Sequence, residues 1–349
     1  MRMIKVMIVD DSAVVRSLLS EQLGSEPDIE IVATAPDPLF AQNKLRSVQP
    51  DVLIVDVEMP RMDGLTFLRQ VMATAPIPTI VFSSLAAAGS ATALDALDAG
   101  AVAILCKPSA GVGDYLLEQR QQLVQTVRQA AGSTLRAVAP RRVPVAAVAP
   151  APRGLTRTTD KIIAIGTSTG GTQALEYLLT QMPLDCTGMV IVQHMPANFT
   201  RLFAERLNSA CAIEVREARD GDRVMPGLAL IAPGGLHLSV QRSGAQYRVQ
   251  VQDGPPVSRH KPSVDVLFRS VAKAAGRNAL GLIMTGMGDD GARGLRLMHE
   301  TGATTWAQDE QSCVVFGMPR EAIRMGAVEK IYSLEELPAR LIEYCAHAH

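Results

Sequence analysis

Short apolar runs alternate with stretches of helical periodicity along most of this chain, and that alternation limits it to a narrow set of folds. In the first part the runs are Val6–Val9, Ile29–Val32, Val52–Val55, Thr79–Phe82 and Val102–Leu105. Between them, Val14, Val15, Leu18, Leu19 and Leu23 recur at helical spacing, as do Leu65, Leu68 and Met72, and then Leu94 and Leu97. Strands that alternate with helices build a parallel sheet covered on both faces. Such sheets bind their ligands at the carboxyl ends of the strands.

The alternation stops once. Residues 132–159 are rich in Ala and Pro, and prolines at 140, 144, 150 and 152 forbid a regular helix. This reads as a semi-stiff tether, with Arg141 and Arg142 as solvated charges. The pattern resumes at Ile162–Ile165, Gly188–Val192 and Ala279–Met284. Leu228–Ala232, Leu236–Val240 and Tyr247–Val251 lie between glycine-bearing turns and read as a small antiparallel insertion. The expected organisation is therefore α/β throughout: a domain at 1–131, a linker at 132–159 and a second, mostly parallel α/β domain at 160–349.

With 349 residues, 47% hydrophobic and 20% charged, the chain can fill two cores. A formal net charge of −1 gives no electrostatic reason to expect nucleic acid or an anionic membrane as partner. Five scattered cysteines without a Cys-x-x-Cys pair suggest reduced thiols in a cytoplasm. No apolar run approaches membrane-spanning length, and MRMIKVMIVDD reads as a first strand, not a signal peptide.

Chemistry gathers at the strand ends of the first domain. Asp10 and Asp11 follow the first strand, Asp56 ends the third, Ser83 and Ser84 end the fourth, and Lys107 with Pro108 ends the fifth. Three carboxylates at one rim repel one another and call for a cation; an all-oxygen set favours Mg²⁺. Lys107 and Ser83 add a positive charge and a hydroxyl donor, which suits phosphoryl transfer to Asp56. A set of helix-capping loop carboxylates is the plainer alternative. With VDD at 9–11, Asp56 followed by Met59-Pro60 and Asp63-Gly64, Ser83 and Lys107-Pro108, the segment resembles a response-regulator receiver domain, flavodoxin-like in fold. The resemblance implies Asp56 as phospho-acceptor, Asp10, Asp11 and Asp56 around Mg²⁺, and Ser83 and Lys107 as phosphoryl sensors. Ile104 departs from the aromatic residue usual at the switch position.

The second domain opens on Lys161–Gly171, KIIAIGTSTGG. A strand, a tight turn and a helix are expected there, with Ser168 at the tip beside free helix N–H groups. Three readings fit: a nucleophile elbow, a phosphate-cradling turn, and a structural turn with a capping serine. His194 falls at the exit of the next strand and is a candidate general base. His260, before an amphipathic helix, suits a surface position or one facing a substrate. A second glycine-bearing turn, Thr285–Gly291, supplies Asp289 and Asp290, either of which could orient an imidazole.

GTSTGG at 166–171, VQHMPANFTRLFAERLN at 192–208, KPSVDVLF at 261–268, MTGMGDDGA at 284–292 and DEQSCVVFGMPREAI at 309–323 resemble the chemotaxis protein-glutamate methylesterase (CheB) family. The resemblance implies Ser168 as nucleophile, His194 as base, Asp290 as orienter, and backbone N–H groups near Thr169 or Met287 as the oxyanion site, with no metal at this centre. It also implies hydrolysis of glutamate γ-methyl esters on chemoreceptor cytoplasmic domains, releasing methanol, and deamidation of specific receptor glutamines. A chemotaxis histidine kinase as phosphodonor, a cytoplasmic location, a monomeric state, and a receiver that covers the Ser168 cleft until phosphorylated complete the expectation. Asp289 stands where asparagine is common and is expected to add negative charge beside His194. Two other readings are a phosphorylation-switched interaction protein with a decayed site and a nucleotide-binding effector, which nucleotide would stabilise against heat.

Overall fold

The structure is a computed structural model that describes residues 3–84, 95–97, 99–107, 120–133, 161–197 and 199–346. The linker reading at 134–159, Arg141 and Arg142, Leu94 and Pro108 lie outside the described residues. The chain separates into two compact units, Met1–Arg141 and Arg142–His349.

The first unit runs β1 (Ile4–Val9), α1 (Ala13–Gly24), β2 (Ile29–Ala35), α2 (Pro38–Leu45), β3 (Val52–Val55), α3 (Gly64–Thr74), β4 (Thr79–Ser84), β5 (Ala103–Lys107) and α4 (Arg120–Ala131). Its five strands pair in parallel in the order β2-β1-β3-β4-β5. Alternate β1 side chains point to opposite faces, as the strand period requires. Val6 and Ile8 pack with Val15 and Leu19 of α1 and Val127 of α4. Met7 and Val9 pack on the other face with Phe67 and Val71 of α3. The helices start sharply at side-chain caps. Ser12 accepts from the Val15 N–H, Asp37 from Leu39 and Phe40 N–H, and Asp63 from the Thr66 N–H.

The second unit runs β6 (Ile162–Thr167), α5 (Gly171–Leu179), β7 (Met189–Gln193), α6 (Phe199–Ala210), β8 (Glu214–Glu217), β9 (Leu228–Ile231), β10 (His237–Ser243), β11 (Gln246–Gln252), α7 (Val264–Ala275), β12 (Ala279–Ile283), α8 (Ala292–Glu300), β13 (Thr304–Gln308), α9 (Met318–Arg324), β14 (Lys330–Tyr332) and α10 (Leu337–Ala346). Seven strands make one sheet in the order β14-β13-β12-β6-β7-β9-β8, and every pairing is parallel.

This corrects one expectation. Leu228–Ala232 is not part of the antiparallel insertion: β9 pairs in parallel with β7 and β8. Leu228, Ala229, Leu230 and Ile231 are all buried, the unbroken apolar pattern of a strand covered on both faces. Of the three runs expected in that insertion, β10 and β11 pair with each other as an antiparallel hairpin. The parallel partner β8, Glu-Val-Arg-Glu, has too little apolar periodicity to announce itself at the sheet edge.

The order of the strands matters for function. The chain lays β6 in the centre, β7 on one side and, much later, β12 on the other. The sheet therefore changes direction at β6, and crevices form at the carboxyl ends of such strands.

Candidate active site

Ser168, His194 and Asp290 follow three neighbouring strands, β6, β7 and β12. Thr167 and Gln193 are register partners, so Ser168 and His194 leave the sheet side by side. The His194 N–H donates to the Thr167 carbonyl at 3.0 Å and the Ser168 N–H to the Thr285 carbonyl at 3.0 Å. The Thr167 hydroxyl donates to that same carbonyl at 2.9 Å. These bonds knit the three strand exits into one rim.

Gln193 tightens it. Its Nε2 donates to the Ser168 carbonyl at 2.9 Å and to the His194 carbonyl at 3.0 Å, so one buried amide fixes the backbone of both residues. The turn after Ser168 needs Gly170, whose φ is +76°, a left-handed conformation that side chains disfavour. The backbone N–H groups of Thr169 and Met287 make no hydrogen bond to the described residues.

The His194 ring joins the residue after β7 to the loop that follows β12. Strands in a sheet lie about 4.8 Å apart, so β7 and β12 are roughly 10 Å apart with β6 between them. The far ring nitrogen, Nε2, bonds the Asp290 Oδ2 at 2.8 Å. The near nitrogen, Nδ1, is buried and has no hydrogen-bond partner. This fixes a tautomer with the proton on Nε2 and a free lone pair on Nδ1. The Ser168 hydroxyl makes no hydrogen bond to the described residues. Catalytic hydrogen bonds in ligand-free enzymes are often long and tighten on binding.

Asp290 is completely buried. Four donors hold it: His194 Nε2, the Ser263 hydroxyl at 2.8 Å, and the Val264 and Asp265 N–H groups at 2.7 and 3.0 Å. The last two are the first N–H groups of α7, so a helix N-terminus faces the carboxylate. Burial alone would raise the Asp290 pKa; the His194 hydrogen bond and charge outweigh it, with Asp265 N–H and Ser263 helping, and hold it below the ordinary value. α7 reaches this position because β6 carries Gly166. A Cβ there would lie 2.1 Å from Val264 Cγ1 and 3.2 Å from Phe268 Cζ. Sequence reasoning missed Ser263 and the two α7 N–H groups; a serine cap before an amphipathic run was the available signal.

Asp289 does not add uncompensated charge to the site. It pairs with Arg259 at 2.7 Å, and both side chains are exposed. Of the two candidate acids, only Asp290 bonds the imidazole. His260 also leaves the bland surface reading behind: its ring stacks on His194.

Gly286 gives a sharp test of this packing. A Cβ at that position would lie 2.4 Å from Met318 Sδ and 2.8 Å from Ser168 Cβ. Gly286→Ala is expected to push Ser168 off its line and lower turnover by about a hundredfold, since displacements near 1 Å cost that much. Wild-type kinetics in that variant would show that the serine tolerates displacement.

The first unit carries its own cluster. Ligand oxygens of Asp10, Asp11 and Asp56 lie within 4.8 Å of one another. Lys107 Nζ approaches Asp10 at 2.5 Å and Asp56 at 2.7 Å. Burial raises the pKa of both Asp10 and Asp56 against the pull of Lys107. The Ser83 hydroxyl is buried without a hydrogen-bond partner among the described residues. Gly64 presses on the Asp56 carbonyl, where a Cβ would lie 1.9 Å from the oxygen. Ile104 is half-buried beside Val81 and Leu97.

Both parts of the chain are similar to known proteins. Residues 163–341 match the CheB methylesterase family, and residues 6–112 match the response regulator receiver domain. A protein-glutamate methylesterase/protein-glutamine glutaminase of Chromobacterium violaceum is 58% identical over 348 residues, covering 96% of this chain and 97% of that protein. One of the same description from Dechloromonas aromatica is 57% identical, covering 98% of each. The crystal structure of the Thermotoga maritima CheB methylesterase catalytic domain is similar, with a TM-score of 0.52 and 35% identity. It matches 53% of this chain and 98% of that one.

Proposed function

Because the chain belongs to the CheB methylesterase family, and is a protein-glutamate methylesterase/protein-glutamine glutaminase with a response-regulator receiver domain that acts in chemotaxis, we propose that Ser168, His194 and Asp290 carry the reaction. The observation that supports these roles is the buried, unpartnered Nδ1 of His194, whose opposite nitrogen is fixed by Asp290.

His194 Nδ1 takes the Ser168 proton as Oγ attacks the γ-carbonyl carbon of a methylated glutamate. Charge builds on the carbonyl oxygen, and the Thr169 and Met287 N–H groups receive it. The imidazolium is stabilised by the Asp290 carboxylate, which stays ionised. Nδ1 then gives its proton to the departing methoxide, releasing methanol and leaving an acyl group on Ser168. Water attacks the acyl carbon while His194 takes a proton; collapse frees the glutamate and returns the proton to Ser168. With a glutamine side chain the same steps release ammonia.

We further propose domains at 1–131 and 160–349 joined by a linker at 132–159, and chemoreceptor cytoplasmic segments as the substrate. Asp56 would accept phosphate from a chemotaxis histidine kinase. Asp10, Asp11 and Asp56 offer hard oxygen ligands that fit Mg²⁺. The ion would offset the charge of the acidic cluster and of an incoming phosphoryl group. Ser83 and Lys107 would contact the phosphoryl oxygens. No described helix is long and apolar enough to cross a membrane.

The direct test is methanol release from methylated receptor membranes; a silent wild-type chain would end the substrate assignment. The regulatory half has its own test. A small-molecule phosphodonor with Mg²⁺ should stimulate the wild type and leave Asp56→Asn at its basal rate. Equal stimulation of both would place the phospho-acceptor elsewhere.

A further inference from the structure

One ring packed against the proposed triad has been given no task. His260 stacks face to face on His194, with ring centroids 3.8 Å apart and planes inclined by only 9°. It reaches that position on an unusual turn. Val257 and His260 exchange two backbone hydrogen bonds, at 3.1 and 3.0 Å. The two residues between them, Ser258 and Arg259, have φ of +49° and +70°. Both central residues of this turn are thus left-handed, a conformation that normally calls for Gly, Asn or Asp.

The turn is held at both strained positions. Ser258 Oγ donates to Asp265 Oδ2 at 2.9 Å, and Arg259 Nη2 donates to Asp289 Oδ1 at 2.7 Å. Asp265 is itself buried and anchored, because its Oδ1 accepts from the Gly294 N–H at 2.7 Å. Its own backbone N–H is one of the donors to Asp290. The same residue therefore grips the carboxylate behind His194 and the turn that lays His260 on its face. Backbone strain kept in place by side-chain clamps is a feature of functional sites.

We propose that His260 is a positioning residue whose flat face sets the plane of the His194 ring, keeping Nδ1 toward Ser168 while Nε2 stays on Asp290. This rests on the triad reading given above. A serine hydrolase base must present one lone pair along one line through two proton transfers, and a ring hinged at Cβ is otherwise free to swing. His260 is not placed to carry the proton itself. Burial, and then the neighbouring His194, push its pKa down to about 3, with Asp290 opposing and Arg259 reinforcing, so it is neutral at working pH. Its side chain makes no hydrogen bond to the described residues.

Steady-state methanol release by the full-length chain tests this, with His194→Ala, His260→Ala and His260→Phe beside the wild type. His260→Ala is expected to lower kcat by about 10- to 100-fold, the cost of losing a reacting geometry, with KM within about twofold. His260→Phe keeps a flat ring in the same space and is expected to restore kcat to within about threefold of wild type. The inference is overturned if His260→Ala turns over normally, if its defect lies in KM, or if Phe is as slow as Ala. The first two would mean no role or a substrate contact, and the third would mean that the ring nitrogens matter. An active His194→Ala would instead bring down the triad reading beneath it. Thermal melts of His260→Phe, which leaves no cavity, separate a lost orientation from a lost fold.

Discussion

Replacing Ser168 with alanine is expected to reduce methanol release by about 10⁴- to 10⁶-fold, the range seen when a hydrolase triad loses its nucleophile. The expectation follows from the position of the serine. It stands at the exit of the central strand, next to the strand that ends at His194, the proposed base, and the Thr169 N–H that follows it has no partner among the described residues. Without Oγ no acyl intermediate can form, and what remains is water attack assisted by His194 and the oxyanion donors. Stability should hardly change. The Ser168 hydroxyl makes no hydrogen bond to the described residues, and substitutions that break no contact usually alter stability by less than about 0.5 kcal/mol. Rate and melting temperature should therefore separate cleanly. Activity within tenfold of wild type would remove Ser168 from the mechanism.

Asp290→Asn should be nearly as damaging to the rate and, unlike the serine variant, should also weaken the fold. Every donor at Asp290 points inward: His194 and the Val264 N–H at one oxygen, the Ser263 hydroxyl and the Asp265 N–H at the other. An amide has one acceptor oxygen, so either orientation turns an NH₂ group against a backbone N–H in a dry site. That mismatch costs about 1–3 kcal/mol. If the amide NH₂ faces His194, the imidazole must present a lone pair to it and move its proton to Nδ1, where Ser168 needs an acceptor. A wrong tautomer of this kind costs about 10⁴ in turnover.

The pH dependence of stability gives an independent check on Asp290. Its pKa in the folded chain lies below the ordinary value, since His194 and the surrounding donors outweigh burial. The folded state therefore binds this proton less readily than the unfolded state. The stabilisation is complete above the unfolded pKa, near 4, and is lost as the pH falls through the folded value. The melting-temperature gap between wild type and Asp290→Asn should be widest at neutral pH and shrink on acidification. A gap that stays constant into strong acid would mean that the carboxylate charge contributes nothing to the fold.

Much of this was written in the linear sequence. The alternation of Val6–Val9 and its successors with helical stretches fixed a parallel α/β architecture, because strand and helix periods are local properties of side-chain direction. Ser168, His194 and Asp290 could be singled out because strand-to-helix turns carry recognisable glycines and polar tips. What the sequence could not supply was pairing. That β9 joins the parallel sheet rests on burial of both its faces, which a run of Leu-Ala-Leu-Ile leaves open. The choice of Asp290 over Asp289 depended on motif likeness until the tertiary structure turned one carboxylate inward to His194 and the other outward to Arg259. The stacking of His260 on His194 joins residues 66 positions apart and has no local signature. Local chemistry decides which elements form and which residues can react; only the packing of distant segments, set by which faces must leave water, decides which of those residues meet.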